Sequence, residues 1–118
     1  MSENLLDEVG KEIISDVRDK TIIEWTRILN GSLRTPDLHQ YEDVLDSLTD
    51  EQRNVFTSLS KDIVDSAIHN FLFYLQTSTT VKLSISTDVE TVDDIRTLTT
   101  GDLQGYLFIW AESFSKYD

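Results

Sequence analysis

The chain has 118 residues, of which 39% are hydrophobic and 27% charged, a composition typical of one globular domain. It carries 22 Asp and Glu against 10 Lys and Arg, for a formal net charge of −12. Because contact with phosphate needs clustered cations, this charge argues against binding to nucleic acid or to an anionic membrane. The chain has no cysteine, which excludes disulfide scaffolds, zinc ribbons and thiol catalysis. We expect one domain over residues 1–118.

The apolar segments are short. The longest uninterrupted one, Tyr106 to Ala111, is far below the ~20 residues that a membrane span needs. The acidic N-terminal residues are followed by no apolar run that could form a signal-peptide core. We therefore expect a cytoplasmic protein without a membrane partner.

Residues 4–30 have a helical pattern. Leu6, Val9, Ile13 and Val17 follow three- and four-residue steps and share one face. The step from Val17 to Ile22 breaks this rhythm, so the pattern predicts either one bent helix or two helices. Asn30-Gly31 closes the segment, because glycine tolerates the left-handed conformation after a helix.

A long central helix is predicted for residues 50–76. After a connector and a short acidic helix near residues 37–47, Thr49 and Gln52 form a capping box that marks its start. Apolar residues then recur at four-residue steps, which predicts that they face the core. They are Val55, Leu59, Ile63, Ala67, Phe71 and Leu75.

The pattern then changes to that of a strand. Val81, Leu83 and Ile85 alternate with polar residues, and a second strand within residues 89–98 would complete a small β element over about 80–98. A final helix presents an apolar face that includes Leu107 and Trp110. The prediction is a mainly α domain around the central helix, which the β element could place in the α+β class.

The acidic residues are concentrated in two stretches, residues 35–52 and 86–95. These 28 positions hold ten acidic residues and no Lys or Arg, so they carry −10 of the net −12. If the two stretches share a face, they form a field that attracts a cationic partner; otherwise they serve solubility alone. The candidate partner-binding residues are Asp37, Glu42, Asp43, Asp46, Asp88, Glu90, Asp93 and Asp94.

One group of side chains has the residue types of a metal site. The spacing of Asp62, Asp65 and His69 could bring their side chains together on one helix. Catalytic zinc and di-iron sites, however, draw further ligands from other elements. A salt-bridged structural histidine is the alternative. Serine, glycine and carboxylate positions match no catalytic motif, so the expectation is a protein that is not an enzyme and holds no cofactor or metal.

Two aromatic residues, Phe73 and Phe108, fall off the predicted apolar stripes. Either their helices are buried on more than one side, or these residues form an exposed anchor for a partner. The second alternative includes a homodimer.

Two segments, Asp65 to Leu72 and Trp110 to Tyr117, resemble small acidic bacterial proteins, some of which are immunity proteins for secreted toxins. The resemblance implies a stoichiometric inhibitor and carries over no catalytic residues. The leading hypothesis is a non-catalytic inhibitor of a cationic bacterial toxin. The alternatives are a small metal-dependent enzyme using His69, Asp65 and Asp62, and a homodimeric adaptor.

Overall fold

The N-terminal part of the chain is one uninterrupted helical rod with a π-helical segment in its middle. The computed structural model describes residues 2–117, with side chains from residue 5 onward, so residues 1 and 118 of the predicted domain lie outside it. Gly31 ends the rod with φ of 89°. Of the two alternatives for residues 4–30, the structure has one rod. Its parts are α1 (Ser2–Glu12), the π segment (Ile13–Asp19) and α2 (Lys20–Asn30).

The π segment explains the break in the apolar rhythm. Its turns are wider than α-helical turns, so residues four apart stay on nearly the same face. Gly10, Ile14, Arg18 and Ile22 are all buried for this reason. Val17, predicted to face inward, is half-exposed instead.

The connector after Gly31 begins the second half of the fold. Pro36 starts a 3-10 helix, so the predicted acidic helix is α-helical only over Glu42–Asp46 (α3). The central helix α4 runs from Asp50 to Thr77, about 42 Å at ~1.5 Å per residue. Its capping box is confirmed: the Gln52 amide donates to Thr49 Oγ1 at 3.1 Å, and the Thr49 amide donates to Gln52 Oε1 at 2.8 Å.

The predicted β element is a hairpin that is shorter than its sequence pattern. Strands β1 (Ile85–Ser86) and β2 (Thr91–Val92) pair antiparallel, with Ile85 opposite Val92. Towards Leu83 the ladder continues only as a single bond, in which the Ile95 amide donates to the Leu83 carbonyl at 2.9 Å. Short 3-10 helices at Ile95–Leu98 and Leu103–Gly105 lead to the last helix, α5 (Tyr106–Phe114). The mainly α prediction is confirmed.

The hydrophobic core lies around the C-terminal half of α4, where α1, α5 and the segment after the hairpin converge. Trp110 fills its centre and is 1% exposed. Gly10 allows the close approach of α1, because a Cβ there would lie 2.4 Å from the Trp110 ring. Other fully buried members are Ile14, Leu72, Ile95, Leu103 and Leu107.

The N-terminal half of α4 has no such core around it. Its main neighbour is α2, and none of its residues before Ile68 is buried. The molecule measures 50 × 29 × 26 Å with a radius of gyration of 17.3 Å, against about 13.5 Å for a compact domain of this length. One side of the helix pair is therefore open to solvent.

Candidate functional site

An apolar groove lies between α4 and the rod formed by the π segment and α2. Its main part has a volume of about 450 Å³. A second part of about 290 Å³ continues it towards Ile13 and Phe71, with Val17, Ala67 and Ile68 lining both. Every lining side chain is apolar or carries a hydroxyl. The main part is lined by Val17, Thr21, Trp25, Ser60, Ile63, Val64, Ala67 and Ile68.

A ridge of exposed apolar side chains on α4 borders the groove. We define this ridge as Leu59, Ile63 and Phe71, which are 47%, 67% and 55% exposed. Their predicted inward orientation is wrong, as it is for Val55 and Ala67; of the six residues predicted to face the core, Leu75 alone is buried. α4 is apolar on more than one side, and the core instead receives the stripe at Ile68, Leu72 and Leu75. The groove and the ridge together form one continuous apolar surface along α4.

Arg18 follows the groove-lining Val17 in the π segment and is buried, with 6% of the residue exposed. It makes a two-pronged contact with Asp65 of α4: Nε donates to Oδ1 at 2.6 Å and Nη2 donates to Oδ2 at 3.3 Å. The hydrogen bond and charge of Asp65 raise the pKa of Arg18 further above its already high value. Arg18 is therefore a permanent buried cation that depends on Asp65 for compensation.

The same cluster holds the end of the chain. Arg18 Nη1 donates to Ser115 Oγ at 2.9 Å and to the Tyr117 carbonyl at 3.1 Å. The buried Asp19 carboxylate accepts from Ser115 Oγ at 2.8 Å and from the Lys116 amide at 2.9 Å. These bonds join the π segment to α4 and to the segment after α5, so we assign the cluster a structural role.

This contact bears on the metal alternative. Asp65 is engaged by Arg18, while Asp62 is exposed and His69 is half-buried. Within the part of the chain that the structure describes, no three His, Asp or Glu residues are close enough to hold a metal ion. The structure therefore does not assemble Asp62, Asp65 and His69 into a ligand set.

The predicted acidic residues fall into two groups rather than one surface. The first four, Asp37 to Asp46, precede the N-terminus of α4. The last four, Asp88 to Asp94, lie in and after the hairpin, which Arg96 ties to the C-terminus of α4 by donating to the Gln76 and Ser78 carbonyls. The two groups are thus separated by the length of α4, roughly 40 Å.

Several of these acids already have partners within the chain. Asp46 pairs with Arg34 at 3.1 Å, and Asp93 with Lys82. Glu42 lies 3.7 Å from the His39 ring, and Asp37 accepts from the Thr35 hydroxyl. Among residues 5–117, Asp43, Asp88 and Glu90 have no side-chain ion-pair partner.

Asp94 has a structural function. Its carboxylate accepts from the Arg96 side chain at 2.7 to 3.1 Å and from the Arg96 amide at 3.0 Å. The side-chain hydrogen bonds from Arg96 are the main reason that the pKa of Asp94 lies below its ordinary value, and the Arg96 amide adds to the effect. The pair caps the 3-10 helix after β2 and holds Arg96 against the end of α4.

Phe73 and Phe108 are both exposed, at 50% and 63%, so the core alternative for these residues is wrong. Phe108 lies on α5 with the exposed Ile109. Neither Phe73 nor Phe108 lines the groove. The molecule therefore has exposed aromatic residues outside the groove and ridge.

A family model matches residues 5–97. The chain belongs to that family, which is described as a family of unknown function (DUF6547). No curated protein and no solved structure matches the chain. In the part of the chain that the structure describes, no helix combines the length and the apolar character needed to cross a bilayer.

The family match includes both walls of the groove, the Arg18–Asp65 contact and all eight predicted acidic residues. It ends before α5, so Ser115 and Tyr117 lie outside it. The sequence patterns did not predict the groove. Its signals were the broken rhythm after Val17 and the excess of apolar residues on α4, which is more than one buried face requires.

Proposed function

We propose that this chain is a non-catalytic protein-binding domain that acts through the groove and ridge of α4. The observation that carries the proposal is the continuous apolar surface left open between α4 and the π segment. Large contiguous apolar patches on soluble proteins mark interaction sites. Trp25 and Phe71 border this one, and aromatic residues commonly dominate binding energy at interfaces.

The chemistry next to the groove supports binding rather than catalysis. Arg18 and Asp65, each next in sequence to a lining residue, bind one another, and Asp19 binds the C-terminal segment. Catalytic groups are commonly held ready for substrate with a perturbed pKa. Here the strongly held cation Arg18 stabilises the fold.

A pair of isoleucine variants tests the proposal. Ile63→Asp places a charge on the ridge, whereas Ile109→Asp makes the same change on α5 at a similarly exposed position. We expect capture of protein partners, including tagged copies of this chain, to fall to about a tenth or less for Ile63→Asp, because a charged carboxylate in an apolar contact is unfavourable. A tenfold loss of affinity corresponds to ~1.4 kcal/mol. Quantitative pull-down from the native cell extract measures this.

Ile109→Asp is the matched control and should capture as the unmodified chain does. Circular dichroism of both variants checks that they are folded. Equal capture by Ile63→Asp and the unmodified chain would contradict the proposal.

A second candidate function is the inhibitor of a cationic bacterial toxin, of the immunity type. It is supported by Asp43 at one end of α4 and by Asp88 and Glu90 at the other, which have no ion-pair partner among the side chains that the structure describes. Because about 40 Å separates the two groups, a compact cationic partner would contact one end only. Binding of this kind should weaken as salt is raised.

Charge reversal at each end tests this candidate. If it is correct, either Asp43→Lys or the pair Asp88→Lys and Glu90→Lys reduces capture of a basic protein by about tenfold or more, since close charge pairs contribute ~1.5–7 kcal/mol. Asp62→Lys, an exposed change in the middle of α4, is the control for net charge. Loss of capture with all three variants, or with none of them, would count against a specific acidic contact.

A further inference from the structure

We infer that the occupant of the groove is a second copy of this chain, bound through its own groove and ridge as a two-fold symmetric homodimer. The inference rests on the proposed function, because it names the partner for the same surface. It differs from a dimer through Phe73 and Phe108, which lie outside the groove. Three observations support it: surface area, shape and the distribution of charge.

The first observation is the excess of surface. The chain exposes 7918 Å², whereas a compact monomer of 13.6 kDa is expected to expose roughly 6,600 Å². The difference is about 1,300 Å², and a stable complex typically buries about 800 Å² on each partner. The surplus of exposed surface is therefore larger than the area that one chain contributes to a typical dimer interface.

The second observation is that the apolar surface contains both a ridge and a groove. The ridge and the groove lie next to each other along the middle of α4, and Ile63 and Phe71 belong to both. A two-fold axis brings the same patch of both copies together. The ridge of each copy can then fill the groove of the other, so that the interface buries Ile63 and Phe71 of both copies.

The third observation is the position of the charges. The groove is lined without a charged side chain, and the two acidic stretches lie at the ends of α4 rather than along its exposed middle. Two chains of net charge −12 still repel each other at long range. We therefore expect moderate salt to strengthen this dimer, the opposite of its effect on capture of a cationic partner.

Sedimentation equilibrium of the full chain tests the inference. We expect the unmodified protein at high micromolar concentration to have twice the monomer mass of 13.6 kDa. Ile63→Asp should weaken self-association by at least about tenfold, equivalent to ~1.4 kcal/mol. Ile109→Asp should self-associate as the unmodified chain does, because Ile109 lies on α5 outside the groove.

A monomeric unmodified chain at high micromolar concentration would overturn the inference, and so would a dimer that Ile63→Asp leaves intact. A dimer broken by Ile109→Asp and not by Ile63→Asp would place the interface on α5. The proposed function fails separately. If the chain is monomeric but Ile63→Asp loses capture of another protein, the groove binds a partner other than this chain; if capture is also unchanged, both proposals are wrong.

Discussion

Replacing Asp65 with alanine is expected to lower the free energy of unfolding by roughly 3 kcal/mol, near the lower end of the range for breaking a buried ion pair. The variant leaves the Arg18 guanidinium buried without the carboxylate that accepts hydrogen bonds from its Nε and Nη2 atoms at 2.6 and 3.3 Å. Asp19 remains 3.3 Å from Nη1, and Asp65 is itself partly exposed. These two facts keep the expected loss from being larger. Urea denaturation followed by circular dichroism measures it.

Asp62→Ala is the matched control for this prediction. Asp62 lies three residues earlier on α4, is exposed and should change stability by about 0.5 kcal/mol or less. The double variant Arg18→Met with Asp65→Ala also removes the cation beside the buried Asp19 carboxylate, so we expect it to be no more stable than Asp65→Ala alone. Equal stability of Asp62→Ala and Asp65→Ala would show that the cluster does not hold the fold.

The start of α4 illustrates what local sequence can determine. The Thr49–Gln52 capping box depends on residues three positions apart, and both of its hydrogen bonds are present. Gly31 likewise ends α2 with the left-handed conformation that its position predicted. Such features need no knowledge of distant parts of the chain, because the interacting atoms are supplied by one turn of backbone.

The orientation of α4 could not be predicted in the same way. Ile63 and Ile68 both belong to apolar stripes, and the sequence does not say which stripe meets α1 and α5. The structure buries Ile68 and exposes Ile63, because the tertiary arrangement places the other helices on one side only. A helix that is apolar on two sides predicts two contacts, of which the single chain supplies one.

The acidic residues show a related limit. The sign of their charge is a property of the sequence, but their exposure and the distance between Asp43 and Asp88 depend on the fold, including the direction and length of α4. Partners within the chain also matter: Arg96 is only two residues from Asp94, yet its role in holding the end of α4 through Gln76 requires the fold. The sequence could therefore nominate acidic candidates without separating structural from available carboxylates.

The contact between Trp110 and Gly10 gives the second large expected effect. Trp110→Ala should lower the free energy of unfolding by about 3–5 kcal/mol, because it removes the largest side chain of the core and leaves a cavity. Gly10 has no side chain that could fill this space, and its α1 backbone is held at close approach by the ring. Thermal unfolding and urea denaturation measure the loss.

Two further variants distinguish packing from other causes. Phe108→Ala changes an exposed aromatic residue on the same helix and should cost much less than Trp110→Ala. Trp110→Phe should also cost less, because it keeps an aromatic ring in the core, and the Trp110 Nε1 group that it removes finds no hydrogen-bond partner among residues 5–117. If Trp110→Phe were as destabilising as Trp110→Ala, ring packing against α1 would not be the source of the stability. A loss for Trp110→Ala no larger than that for Phe108→Ala would place the centre of the core elsewhere.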